Sequence, residues 1–151
     1  MSNLLKISDA ASIALHAMVM LADSQSEFLS VHDIAQKHGI SQHHLAKIGQ
    51  RLVKAELVES HRGPGGGFKL SKSPEQINLL EIFEAIEGPF KFGGCLLGNP
   101  ACDRKECIYG GLIESVNKEF YEYFAETTLA KFINSNRKVK KDGNKKNSQD
   151  R

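Results

Sequence analysis

The chain has no tryptophan, no internal repeat, and no apolar run near the roughly 18 residues needed to span a bilayer. Those absences set aside solenoid and membrane classes. The first residues, MSNLLKISDAAS, carry an early acidic residue and lack a signal-peptide layout, so a cytoplasmic protein is expected. Cysteine is scarce, three in 151 residues. An odd count in a reducing compartment argues against a disulfide framework. No phosphate-binding loop ending in Gly-Lys-Ser/Thr occurs, and the run GPGGG lacks the lysine and following helix that would make one. His43 and His44 are adjacent on a predicted helix and point apart, so they build no nucleophile–base pair. Neither catalysis nor a small-molecule substrate is expected.

What is present suits one ordinary domain, or a small domain plus a dimerising helix. The net charge of +2 is only weakly basic, but it is unevenly spread. Lys and Arg number 8 in residues 1–75, 5 in 76–134 and 7 in 135–151, against 7, 9 and 2 for Asp and Glu. The middle is acidic and the end strongly basic.

Residues 31–72 carry the most information. Ala35, Gly39, Leu45 and Ile48 have the spacing of a helix-turn-helix. A small residue at 35 admits a close crossing, Gly39 supplies the positive φ of the turn, and Leu45 and Ile48 share the inner face of the second helix. The spacing predicts helices over Val31–His38 and Ser41–Ala55, the second capped by Ser41. Gln42, His43, Ala46, Lys47 and Gln50 then face outward, free to enter a DNA major groove. Short strands at Leu57–Glu59 and Phe68–Leu70 flank the turn RGPGGG, the pattern of a wing. Arg62 stands at its mouth, Pro64 stiffens it, and the glycines let backbone approach phosphate or a minor groove. Gln42 suits adenine edges, whereas Lys47 and Arg51 suit phosphates. The competing reading is an ordinary helix pair with an unoccupied hairpin, but two adjacent histidines are poor choices for a packing face.

Elsewhere the pattern is helical. Residues 9–22 form an apolar-faced helix capped by Ser8. Asn78 and Glu81 make a capping box for LLEIFEAIEG, which Gly88-Pro89 ends. Residues 90–107 read as a loop holding every cysteine. An amphipathic helix is expected over 109–133, with Leu112, Val116, Phe120, Tyr123, Phe124 and Phe132 broadly on one side. The tail, 135–151, is polar and expected to be disordered; as a solvated end it needs no partner, and as a nucleic-acid contact it would bind without sequence preference. The fold expected is mainly α with a small β wing: a winged helix-turn-helix domain over 1–88, a cysteine loop over 89–108, a long C-terminal helix over 109–134 and a basic tail.

This order of elements, with RGPGGGF and the EG that closes the next helix as its most specific parts, resembles the Rrf-two family of winged-helix transcriptional regulators over residues 6–133. The resemblance implies a homodimer whose C-terminal helices cross, binding double-stranded DNA at a palindromic operator with half-sites about 34 Å apart. It carries DNA contact onto Ser41, Gln42, His43, His44, Lys47 and Arg51, and onto Arg62, Gly63, Pro64 and Gly65 in the wing.

Cys95, Cys102 and Cys107 pose the sensor question. Their spacing is not the C-x2-C of a zinc ribbon. Soft thiolates on one loop suit an iron–sulfur cluster, and several family members hold a two-iron two-sulfur or four-iron four-sulfur cluster on three cysteines plus another ligand. Many place a histidine three residues after the last cysteine, where this chain has Gly110. Others use an acidic residue and a histidine four apart on the first helix. The histidine matches His16, while the acidic position holds Ser12, and Asp9 lies one turn earlier. The alternatives are a cluster-free thiol switch, a regulator answering to a small molecule or protein, and cysteines with no redox role; His16 alone also reads as a partly buried structural histidine.

Overall fold

The computed structural model describes residues 7–24, 28–93 and 107–133. Cys95, Cys102 and the basic tail lie outside the described residues. The elements run α1 (Asp9–Asp23), α2 (Val31–His38), α3 (Gln42–Lys54), β1 (Val58–His61), β2 (Gly67–Leu70), a 3-10 turn (Pro74–Gln76), α4 (Leu79–Glu87) and α5 (Leu112–Glu126).

Local chemistry starts each helix of the N-terminal module. Side-chain oxygens of Ser8, Ser30 and Ser41 accept from the backbone N–H groups of Ala11, Asp33 and His44, each at 3.1 Å. Asn78 and Glu81 form the reciprocal box, at 2.9 and 3.0 Å. Such caps satisfy donors the helix leaves orphaned and contribute about 1 kcal/mol each. The helix ends are equally local. Gly39 sits at φ 63°, its N–H donates to Gln36 O, and the Ile40 N–H reaches back to Ala35 O. α3 ends with the same pair of bonds, Glu56 to Val53 and Leu57 to Leu52, but the left-handed position is held by Glu56 at φ 58°.

α1 packs on α4, and α3 crosses both, around Met18, Ile34, Leu45, Leu57, Ile77 and Ile82, all fully buried. Strands β1 and β2 pair antiparallel from Val58 opposite Leu70 to His61 opposite Gly67. Leu29 adds a bridge to Phe68 with both backbone bonds at 2.9 Å, so the segment before α2 extends the wing sheet.

The C-terminal helix is shorter than its spacing predicts. α5 stops at Glu126, and Thr127 turns extended (φ −92°, ψ 117°). Thr128 bridges to Asn78, Thr127 O accepts from Leu79 N at 2.9 Å, and Leu129 N donates to Ile77 O at 3.0 Å. A β-branched pair is poorly suited to prolonging a helix. The strand-like step instead satisfies backbone groups ahead of α4 and buries Leu129 completely, before a last helical turn at 130–133.

α5 also divides its apolar residues between two faces. Ile113 and Phe124 are buried, with Phe120 stacked on Phe124 and edge-on to Phe83 of α4. Leu112 (56% exposed) and Tyr123 (47%) face outward.

Candidate nucleic-acid interface

α3 presents two unlike faces. Leu45, Ile48, Gly49 and Leu52 are buried, while Ser41, Gln42, His43, His44, Lys47, Gln50 and Arg51 are exposed. Glycine at 49 lets the wing press on the helix: a Cβ there would lie 2.1 Å from Phe68 Cζ. Phe68 of β2 therefore sets the distance between α3 and the wing.

The wing glycines have separate duties. Gly63 and Gly65 have positive φ (101° and 72°) and open space around them, and Gly66 N donates to Gly63 O at 3.0 Å to close the turn. Gly66 and Gly67 are hemmed in by the protein itself. A Cβ would lie 2.3 Å from His61 O at Gly66, and 1.9 Å from Leu29 O at Gly67. The wing tip, with Arg62, Gly63, Pro64 and Gly65, is exposed. It stands on the same side as the outward face of α3, and between them runs a groove of about 470 Å³. Its walls include Ala46, Gln50 and Val53 from α3 and Ser60, His61 and Arg62 from the wing. Ser60 and His61 are additions to the residues read from sequence. Strand alternation alone does not show which side of a short hairpin meets a helix.

Two side chains expected at DNA already have partners. The Gln42 amide donates to His32 Nδ1 of α2 at 3.1 Å, both residues being exposed. Arg51 Nη1 donates to Ile86 O at 2.9 Å, which binds the last turn of α3 to the end of α4.

On the sensor side, Cys107 is a free, exposed thiol whose carbonyl accepts from Gly110 N at 2.9 Å. His16 lies exposed on α1, its Nδ1 2.7 Å from Ser12 O. A carbonyl only accepts, so Nδ1 carries a proton, and in the neutral ring Nε2 is the nitrogen left to bind a metal. The ring meets that of His38 edge-on, with centroids 6.0 Å apart. His38 Nε2 is buried without a hydrogen-bond partner. Burial, then His16 and Lys37, push the His38 pKa below its usual value. Asp9 sits in the first turn of α1, and Ser12 is half-buried on it. Among the described residues, no three His, Cys, Asp or Glu side chains are gathered to hold a metal ion, and no helix is long and apolar enough to cross a membrane.

From α4 toward the cysteines, the chain is strapped along α5. Phe90 N donates to Glu84 Oε1 at 2.8 Å, and the Phe90 ring stacks on Phe120 with centroids 5.6 Å apart. Asn117 Nδ2 donates to Gly93 O at 2.7 Å.

Comparison with known proteins agrees with this architecture. The Rrf2 family, described as an iron-dependent transcriptional regulator, matches residues 7–135. The HTH-type transcriptional regulator IscR of Cereibacter sphaeroides is 31% identical over 135 residues, covering 85% of this chain and 87% of that one. NsrR of Bacillus licheniformis, also an HTH-type transcriptional regulator, is 32% identical over 123 residues, covering 79% and 83%. The structure of CymR, the global cysteine regulator of B. subtilis, superposes with a TM-score of 0.71 at 28% identity, covering 87% of this chain and 98% of that one. These relatives are regulators rather than enzymes. With a helix-turn-helix and wing turned outward together and this match along most of its length, the chain belongs to the Rrf2 family of DNA-binding transcriptional regulators.

Proposed function

We propose that the protein binds a palindromic operator as a homodimer and answers to a redox, iron or nitric-oxide signal received at its cysteines. The observation that carries the DNA half is the shared orientation of a polar helix face and a glycine-built turn across one groove. Ser41, Gln42, His43, His44 and Lys47 would meet the major groove and its phosphates. Arg62, Gly63, Pro64 and Gly65 would follow the adjoining backbone or minor groove. Dimerisation is supported by the outward apolar residues of α5, Leu112 and Tyr123, beside exposed Ile108 and Tyr109. Large apolar side chains gathered on one helix face favour burial against a partner. A second copy places two recognition helices about one DNA turn apart.

For the signal, the donor set fits an iron–sulfur cluster. Cys95, Cys102 and Cys107 supply soft thiolates, and His16 offers a nitrogen whose opposite ring N–H is already fixed by a backbone carbonyl. When bound, such a group supplies one-electron chemistry and sensitivity to iron supply. The chain's own part is to hold the strap from Gly88 to Gly93 against α5 through the Phe90 ring on Phe120 and through Asn117. The exposed thiol of Cys107 also favours a second reading, a cluster-free thiol switch.

The tests separate the halves. Selection of duplexes from a random pool should return an inverted repeat, and sedimentation should give a dimer. Anaerobic purification should give a coloured protein with iron and sulfide that a triple Cys→Ser variant lacks. Colourless protein after reconstitution, with operator binding still altered by thiol oxidants, selects the thiol switch instead.

A further inference from the structure

We propose that Arg51 is a positioning residue, tying the recognition helix to the C-terminal end of α4 and, through it, to the strap that leads to the cysteines. The proposal rests on α3 being the recognition helix. The bond from Arg51 Nη1 to Ile86 O, 2.9 Å long, joins residues 35 apart in the chain. The last carbonyls of a helix lack partners within it and carry the negative end of its dipole. α4 has no basic residue in its own last turn, so the charge comes from α3.

The same end of α4 holds the strap. Gly88 N donates to Glu84 O at 2.9 Å, and Phe90 N donates to the Glu84 carboxylate at 2.8 Å. Beyond Phe90, Gly93 O accepts from Asn117 of α5. Movement of the strap therefore displaces the last turn of α4, and with it the carbonyl that Arg51 grips. Arg51 follows Lys47 by one helical turn, so turning its end of α3 re-aims Lys47 and His43 on the DNA. Arg51 then acts on DNA affinity without being counted among the phosphates neutralised.

Salt dependence distinguishes these roles. Each phosphate contact contributes about 0.9 to the slope of log affinity against log salt, so a contact made by both subunits contributes about 2. The full-length protein would be titrated with its selected duplex across a series of KCl concentrations. Lys47→Ala should flatten the slope by about that amount. Arg51→Gln should weaken binding about tenfold at an unchanged slope. Glu84→Ala, which frees the strap, should also weaken binding, and in the double variant the two losses should not multiply.

A slope flattened by Arg51→Gln as it is by Lys47→Ala, or losses that multiply, overturns the role of Arg51. Should Arg51→Gln fail to fold, Arg51→Lys decides, because it keeps a charge for phosphate but not the planar fork at Ile86 O. Unchanged affinity in Arg51→Lys overturns the proposal. A wild-type protein that selects no sequence overturns the reading of α3, and the proposal falls with it.

Discussion

The ring of Phe68 occupies the space where a side chain at Gly49 would begin, so the recognition helix and the wing press directly on each other there. Gly49→Ala should therefore move the wing as well as strain the core. Overpacking of this kind costs about 1–3 kcal/mol. Urea unfolding should show that loss, and operator affinity should fall with it. A substitution that leaves both unchanged would mean that the contact relaxes freely.

Gly67 and Gly65 are neighbours in composition but not in role. Gly67→Ala drives a Cβ into the Leu29 carbonyl and should cost more stability than Gly65→Ala. Gly65→Ala adds only the left-handed backbone penalty of about 1–2 kcal/mol. Thermal unfolding of the two variants side by side measures the difference, and equal losses would contradict it.

Glu56 is the one non-glycine residue at positive φ among the described residues, and it sits where a helix end favours glycine. Glu56→Gly should raise stability by about 0.5–1 kcal/mol, part of the relief being offset by greater freedom in the unfolded chain. A lowered midpoint in urea would show that the Glu56 side chain stabilises the fold by other means.

Leu112 and Tyr123 face away from the core while Ile113 and Phe124 face into it. If the proposed dimer pairs through this face, Leu112→Glu combined with Tyr123→Ser should yield a folded monomer with operator affinity reduced by at least about tenfold, because the proposed operator needs both half-sites met at once. Sedimentation together with circular dichroism checks both parts. A dimer of undiminished stability would move the interface elsewhere.

Short-range chemistry could be read directly from the chain. Ser8, Ser41, Asn78 with Glu81, and Gly39 act within three or four residues of themselves, so their spacing carries their meaning. The inner face of α3 obeys the same periodicity, which is why the exposed helix and the turn beside it were legible in residue order. Three other features depend on residues far apart in the chain: Phe68 against Gly49, Arg51 on Ile86, and Thr127 to Leu129 laid along residues 77–79. No local period encodes those meetings. The helix pattern continues past Glu126, yet a distant backbone with unmet hydrogen bonds, and a core with room for Leu129, end it there. Residue order thus determined which elements form and which side of the recognition helix is polar. Tertiary packing alone decided how far the wing stands from that helix and where the last helix stops, because each is set by contact between surfaces that only folding brings together.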